Sequence, residues 1–517
     1  MIFFIFTGRF FAMPAIFFKY LFKNINGPKR LRFILEELGG VYMKLGQILA
    51  MRFDIMPMRY ATALLDLLDD AKRVDNEKMF AVFEKETGKK INDVFNKVDE
   101  IPLGTASFAQ VYKGLWGDNE VVIKIQKPES EKYIQADLAF LRFLLPLARF
   151  FGSLKSVPPK EILAQLEEWL EDELDYTAEA QNNKILYDHA KRHKLENVAI
   201  PKIYTELATK RVLVQEFLAG SQVKKIMVYL NTRPDDLKKI LNERNIDLFK
   251  AANAFIYDLM RQYFIDGFFH ADPHPANLMI FPESKIGFID FGIIGRSNYD
   301  NIGLLRFIKA ATELDFRECA EGLADFLNQR VMRDYGDMIE SDPQMQKIYE
   351  TVLNFVTRRL AEDLAPIVKD WNFFTGRKDA SISERSSSRA FLRIARTIEK
   401  YGLRFPPDVI GFLRSLLIVD MVCLKLSEDF DMVKAARVFF ERHTIEEVQA
   451  QAPQHRQETA QLNELESLRI VEIAPEKEGA ALDVAGEKRY ASKEKMMNLI
   501  AALAEKYPEL YNELKEV

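Results

Sequence analysis

The sequence has 517 residues, 48% of them hydrophobic and 29% charged, which is enough apolar content for more than one core and excludes global disorder. A formal net charge of −5 and a pI of about 5.9 exclude the basic balance of a nucleic-acid binder. Its two cysteines, Cys319 and Cys423, lie far apart without metal spacing, which excludes a disulfide framework and reads as core thiols in a reducing compartment.

The amino terminus is Phe-rich and basic. Eight phenylalanines fall within the first 22 positions, and Arg9, Lys19, Lys23, Lys29, Arg30 and Arg32 precede the first acid. The charge-free runs are shorter than the roughly 20 apolar residues a spanning helix needs. Reading through Arg9 would bury an arginine, and Pro14 would kink the helix. Residues 1–27 therefore read as a segment lying on an anionic membrane surface, anchored by its lysines and arginines. The alternatives are a helix packed on the protein itself and, less in keeping with the absence of a small-residue cleavage site, a secretory signal.

Residues 28–70 repeat Leu31, Ile34, Leu35, Leu38, Val41, Tyr42 and Leu45 at helical spacing, with a break at Met56-Pro57. Residues 75–100 read as a further helical stretch. The pattern then changes: Phe108–Leu115 and Glu120–Gln126 are β-prone runs joined by Trp116-Gly117-Asp118, a hairpin signature. Residues 130–151 and 159–194 read as helices, and Val212–Phe217 as a buried strand. From about 222 to 445 the chain reads as mostly helix, interrupted by strand-like pieces at Leu278–Phe281 and Ile286–Ile289. Val409–Leu426 contains Arg414, Asp420 and Lys425 and reads as a core helix. Residues 446–463 look like a solvated linker. Residues 492–517 read as an amphipathic helix with Met496, Ile500 and Leu503 on one face.

The chemistry concentrates in His270-Ala271-Asp272-Pro273-His274-Pro275-Ala276-Asn277 followed by Asp290-Phe291-Gly292. Phosphoryl transfer needs phosphates held, Mg²⁺ bridged between them and a nucleophile positioned. Asp272, with Asn277 five residues on, has the spacing of a loop whose Asp orients the attacking hydroxyl and whose Asn ligates metal. Asp290 closes an apolar strand, where a carboxylate can bind Mg²⁺ with phosphate oxygens. An isolated Asp-Phe-Gly is commonly a turn; joined to the upstream unit it is a specific signal. Lys124 ends Val121-Val122-Ile123-Lys124 on a strand, the position of a lysine that holds α- and β-phosphates. Glu179 is the helical carboxylate expected to pair with it, and Glu216-Phe217 the adenine-facing hinge. The loop before the lysine, Gly104-Thr105-Ala106-Ser107, with Val111 beyond it, keeps one glycine where a conventional kinase loop has three. ATP and Mg²⁺ are the expected cofactors.

These departures, with Lys44-Leu45-Gly46-Gln47 upstream and Glu173-Leu174-Asp175, make the sequence similar to the UbiB-like atypical kinases, the AarF/ADCK family linked to coenzyme Q biosynthesis, over roughly residues 35–430. The resemblance implies that Lys44 and Gln47 meet Glu173 and Asp175 near the active site, closing the place where a kinase receives peptide. It also implies slow ATPase or small-molecule-directed activity stimulated by membrane lipid, with quinone-precursor lipids or quinone-biosynthesis proteins as partners. Two departures from the family pattern stand out: Gly104 where the loop commonly has alanine, and Ala276 where glycine is usual. Bacterial members often end in paired membrane helices; none is read here, so membrane contact is expected from the amino terminus, as a peripheral protein on a cytoplasmic or matrix-side face.

The expected fold is α+β, a two-lobed protein-kinase-like fold. Its parts are an interface segment (1–27), a helical extension with the Lys-x-Gly-Gln element (28–100), an N-lobe with a helical insert (101–218), a mostly helical C-lobe (219–445), and a linker with a terminal helix (446–517). A Ser/Thr protein kinase and a nucleotide-binding pseudokinase scaffold are the competing functions. His189 and His193, four apart, read as a solvated helix face rather than a metal site, and His274 as a structural hydrogen-bonding residue. Arg358-Arg359 and Arg377-Lys378 read as solvated surface.

Overall fold

The structure, a computed structural model, describes residues 15–16, 18–20, 22–23, 25–51, 58–65, 67, 73–150, 159–297, 301–403, 405–451 and 496–516. The chain divides into two units. One comprises Met1–Gln222, Asn277–Phe281 and Gly287–Ile293; the other comprises Val223–Ala276, Pro282–Ile286 and Ile294–Val517.

The first unit is built on an antiparallel sheet in which Lys97–Val98, Ala109–Trp116, Asn119–Gln126 and Val212–Glu216 lie side by side, with Gly104–Thr105 paired to the second strand. The expected hairpin closes with Trp116 opposite Asn119. Gly117 takes φ +59° while Asp118 keeps a negative φ, the pattern of a II′ turn with glycine first. Strand alternation then sorts the side chains. Tyr112, Val121, Ile123, Ile125, Val212 and Val214 point to one face, where they bury Met79, Val82 and Phe83 of helix Asn76–Thr87. The opposite face carries Leu213, packed with Tyr176 and Ala180 of helix Tyr176–Arg192.

Residues 75–100 are not helical throughout. Gly88, at φ +70°, ends helix Asn76–Thr87, and after a single turn at Ile91–Val94 the chain becomes the strand Lys97–Val98. Two residues are too few for any period to register. The extension itself has helices Gly27–Leu38, Val41–Met51 and Met58–Leu65. Asn26 caps the first, its Oδ1 accepting the Lys29 amide at 3.0 Å, and Gly39 and Gly40, both at positive φ, end it. Leu35, Leu38, Tyr42, Met43, Leu64 and Leu67 form its core. The helical insert, Ser130–Phe150 and Pro159–Glu173, contributes Ile134, Leu138, Leu163, Leu166 and Leu170 to a separate core with Val41 and Ile48.

The amino-terminal interface segment lies largely outside the described residues. Within it, Lys19 Nζ pairs with Glu37 at 2.7 Å, Tyr20 stacks on Phe33 at 6.0 Å, and Ile16 packs against the extension core. Phe18 and Phe22 point outward, 55% and 83% exposed.

Among its described residues the second unit is largely helical; it also holds the antiparallel pair Phe268–His270 and Ile294–Arg296, which the helical reading of this region did not include. Helix Leu248–Arg261 runs into a π-helical turn, Gln262–Asp266, and Gly267 at φ +67° turns the chain into the first of these strands. Helix Pro407–Leu426 is a core helix, buried throughout from Phe412 to Asp420, and Cys319 and Cys423 are core residues. Met496, Ile500 and Leu503 are buried and Tyr507 stacks on Tyr401, so the terminal helix docks within this unit.

Two further expectations are corrected. The segment expected as a linker from 446 begins as a helix: Thr444 Oγ1 accepts the Glu447 amide at 3.1 Å and Glu447 accepts the Thr444 amide at 2.9 Å, a reciprocal cap. The rest of that linker, 452–463, lies outside the described residues. His189 is buried rather than solvated, because the Tyr176–Arg192 helix turns that side inward and leaves Lys191 and Arg192 exposed. Among the described residues no helix is long and apolar enough to cross a membrane.

Candidate active site

Lys124 stands opposite Leu213 and Val111 in the sheet, so strand alternation aims it at helix Tyr176–Arg192. On that helix Tyr176, Glu179, Ala180 and Asn183 share one face, and Glu179 meets the lysine. Lys124 Nζ lies 2.8 Å from Glu179 Oε2, 3.0 Å from its Oε1 and 3.1 Å from Asp290 Oδ2. The Tyr176 ring sits 4.9 Å from the same ammonium, a cation–π contact that sequence reasoning missed.

Asp290 is placed by its own strand and by a turn. The Ile289 amide donates to the Asn277 carbonyl at 3.1 Å, which sets the segments carrying Asp290 and Asn277 side by side. The Asp290 Oδ1 accepts the Gly292 amide at 3.1 Å, and Asn182 Nδ2 donates to the Phe291 carbonyl at 3.1 Å. Asn182 was not singled out from the sequence, although it lies one turn beyond Glu179 on the helix.

The electrostatics follow from burial and from the one cation between two carboxylates. Burial alone would lower Lys124, but Asp290 and Glu179 outweigh it and hold the ammonium well above its ordinary range. Burial would raise Asp290; the Lys124 charge and the Gly292 amide instead bring it down to about 2. Burial pushes Glu179 up to about 7, with Lys124 opposing and the neighbouring Asp290 charge adding to the rise. Asp290 is thus ionised at neutral pH, and the oxygen donors of its carboxylate and of the Asn277 amide are those a hard divalent cation takes. The residues present fit Mg²⁺.

The glycine-poor loop is pinned. Gly104 and Thr105 pair with Val111 and Gln110, and the Ala106 amide donates to the Ala109 carbonyl at 2.9 Å, leaving Ser107 and Phe108 at the tip. Phe108 is buried against Val41 and Ile48 of the Lys44 helix and against Leu138 and Leu166 of the insert. Sequence reading had no reason to single it out, since its partners lie in two distant segments. Gly104 has a negative φ and open space where a Cβ would stand, so its backbone does not require glycine.

At the hinge, the Glu216 amide donates to the Lys202 carbonyl, and Glu216 Oε2 accepts the Lys202 amide at 3.1 Å. The Phe217 amide is committed to the Glu120 carbonyl at 3.0 Å, so it is not available to an adenine.

Of the four residues expected to meet over the site, Lys44 and Glu173 do, at 2.6 Å with both side chains mostly buried. Asp175 does not join them: its Oδ1 caps helix Tyr176–Arg192, accepting the Thr177 amide at 2.9 Å and the Thr177 hydroxyl at 2.5 Å. Gln47 bonds neither carboxylate, and its Oε1 is buried without a hydrogen-bond partner among the described residues. Between them, Gly46 allows close packing; a Cβ there would come within 2.5 Å of Leu67 and 2.9 Å of Leu35.

Asp272 belongs to the second unit. Its amide donates to His270 Nδ1 at 3.2 Å and its carboxylate pairs with Arg414 at 3.1 Å. The His274 amide donates to the Asp272 carbonyl at 2.7 Å, and His274 Nδ1 accepts the Ala276 amide, the structural role expected of that histidine. Among the described residues no cluster of three or more His, Cys, Asp and Glu is spaced to hold a metal.

The family model for the ABC1 atypical kinase-like domain matches residues 66–323. "Probable protein kinase UbiB" of Pseudomonas fluorescens strain Pf-5 is 28% identical over 449 residues, covering 86% of this chain and 76% of that protein. The protein of the same description from strain SBW25 is 28% identical over 439 residues, covering 84% and 74%. A solved structure, the Rv3197–erythromycin complex from Mycobacterium tuberculosis, shares 28% identity over 54% of this chain and 68% of that chain, with a TM-score of 0.35. The α+β, kinase-like fold class expected from the sequence is the one found.

Proposed function

The chain belongs to the UbiB-like, ABC1-type atypical kinase family, and on that premise we propose that it binds ATP with Mg²⁺ and uses it as an atypical kinase or ATPase supporting isoprenoid quinone biosynthesis at a membrane surface. The observation that carries the nucleotide part is the Lys124–Glu179–Asp290 cluster: one buried ammonium held by two carboxylates drawn from a strand, a helix and an Asp-Phe-Gly turn. A structural ion pair needs only one acid. The second acid follows the strand Ile286–Phe288, next to Ile289, which is hydrogen-bonded to Asn277, where a metal-bound polyphosphate would be held.

In this reading Lys124 holds the α- and β-phosphates and Glu179 keeps its ammonium aimed. Asp290 and Asn277 hold Mg²⁺, which when bound neutralises charge on the phosphates. Asp272 orients the attacking hydroxyl or water. The pinned loop, Gly104–Ser107, covers the nucleotide with little freedom to adjust, in keeping with slow turnover. Lys44, held by Glu173, sits close enough to Asp290 for its charge to lower that carboxyl, which supports a regulatory role for the Lys44 helix.

The membrane part of the reading is supported by the docked amino-terminal residues. One side of that segment packs on the extension through Ile16 and Tyr20, and Phe18 and Phe22 project outward beside Lys19 and Lys23. Such a face suits a peripheral contact with anionic lipid on a cytoplasmic or matrix-side membrane. The quinone part rests on the family resemblance.

The test is ATP turnover by the full chain with and without anionic liposomes and quinone-precursor phenols, with Asp290→Asn as control. Turnover that both additions stimulate and that the variant lacks is the expected result. Turnover indifferent to both additions would remove the lipid-linked part of the proposal.

A further inference from the structure

Helix Pro407–Leu426 carries Arg414 in a setting made for apolar side chains. Its neighbours on the helix, Phe412, Leu413, Leu416 and Leu417, are all core residues, and Arg414 itself is 7% exposed. Burial lowers the guanidinium's affinity for its proton, and Asp272 acts against that. A buried guanidinium is costly unless an anion faces it. The anion here is the Asp272 carboxylate, 142 residues away in the chain and 3.1 Å away in space.

The place of Arg414 relative to Asp272 is held by aromatic packing. Phe412, two residues before the arginine, stacks on Tyr263 at 3.8 Å and 14°, and lies edge-on to Phe269 of the strand that leads into the Asp272 loop. Tyr263 belongs to the π-helical turn, a feature frequent at functional sites.

The main chain of the loop is anchored separately. The His270 amide donates to Gln262 Oε1 at 2.8 Å, and Gln262 Nε2 donates to Asp258 Oδ2 at 2.7 Å. Asp258 pairs with Arg261 at 2.9 Å, and Arg261 with Asp266 at 2.5 Å, all of them buried. The Asp272 amide completes this chain by donating to His270 Nδ1. This network holds the main chain at His270 and Asp272, and the contact with Arg414 acts on the Asp272 side chain.

We propose that Arg414 is the positioning residue for Asp272: it grips one carboxylate oxygen and so sets the plane from which Asp272 orients the attacking hydroxyl or water. The role rests on the ATP-using reading above. It is a task for which a rigid guanidinium fork suits better than a mobile ammonium, and the residue comes from outside every motif of the sequence. A misplaced carboxylate costs rate rather than nucleotide affinity, because orientation enters the chemical step.

The experiment compares wild type, Arg414→Gln and Arg414→Lys as full chains. For Arg414→Gln, kcat for ATP should fall about 100-fold, the cost of a misplaced catalytic group, while KM for ATP stays within about twofold. Arg414→Lys should recover a substantial part of the loss. Wild-type kcat in Arg414→Gln, or kcat and KM changing together without recovery by lysine, would overturn the role. Thermal unfolding of Asp272→Asn, Arg414→Gln and the double variant tests the contact without turnover. Asp272→Asn strands a buried cation, so the double variant should melt no lower than Asp272→Asn alone; strictly additive losses would contradict the pairing. A wild-type chain with no ATP turnover would overturn the ATP-using reading and this role with it, whereas an active wild type with a normal Arg414→Gln would overturn the role alone.

Discussion

Lys124 and Glu179, 55 residues apart in the chain, meet at 2.8 Å because strand alternation and helix periodicity direct both side chains into one layer. The helical insert between them lengthens the sequence separation without changing the contact. Lys124→Met should therefore harm both stability and chemistry. It strands two carboxylates, at a cost of about 3 kcal/mol for a buried pair broken on one side, and should lower ATP turnover about 100-fold as a preorganised charge is lost. Glu179 stands at about 7 in the folded chain against 4.5 ordinarily. The folded state binds that proton more tightly, so this contribution to stability is complete below about 4.5 and fades as pH rises through 7. Removing Lys124 makes ionised Glu179 costlier still, so the stability loss should be larger at pH 8 than at pH 5; a loss independent of pH would contradict the coupling.

Much of this arrangement is legible in the sequence. The hairpin, the strand carrying Lys124, the strand leading to Asp290 and the helix carrying Glu179 each show a local period, and the structure forms them where that period points. What the sequence hid has a common cause. Phe108, Arg414 and the strand Lys97–Val98 acquire their partners from distant segments, and two or three residues carry no detectable period. Asp175 misled for the opposite reason. A carboxylate beside an active-site motif reads as a site residue, but the orphan amide of a helix amino terminus claimed it.

A second pH effect should come from Asp420, buried in the second unit. Its Oδ2 accepts the Ser386 hydroxyl at 2.9 Å and the Ser387 amide at 2.8 Å, while its Oδ1 has no hydrogen-bond partner among the described residues. Burial raises it to about 7 from 3.8. Its contribution is full below about 3.8 and is lost as pH rises through 7. Asp420→Asn keeps the accepting oxygen and removes the charge. Relative to wild type it should be little changed near pH 4 and more stable at pH 8, by on the order of 3–4 kcal/mol at most. Parallel melting-temperature profiles for the two proteins would count against a protonated Asp420.

Asn183 follows Tyr176, Glu179 and Ala180 on the buried face of its helix, and neither of its amide atoms has a hydrogen-bond partner among the described residues. An unsatisfied buried polar group costs about 1–3 kcal/mol. Asn183→Leu, nearly isosteric and apolar, should raise the melting temperature. A fall of several degrees would mean that the amide is satisfied by bound water or ligand.

The outward phenylalanines offer a direct test of the membrane contact. Phe18→Ser with Phe22→Ser should weaken pelleting with anionic liposomes at least about tenfold, given roughly 1.5–3 kcal/mol for each apolar side chain buried. The melting temperature should stay unchanged, since neither ring belongs to the core. Unaltered pelleting would place the lipid contact elsewhere on the chain.

The reading of the Lys124–Glu179–Asp290 cluster as a Mg²⁺·ATP site is tested most directly by calorimetric titration of the full chain with ATP, with and without Mg²⁺, for wild type and Asp290→Asn. Wild type should bind ATP more tightly with Mg²⁺ than without it. Asp290→Asn should lose that Mg²⁺ dependence while remaining folded. ATP binding that is equally tight in both proteins, or equally tight with and without Mg²⁺, would contradict that reading.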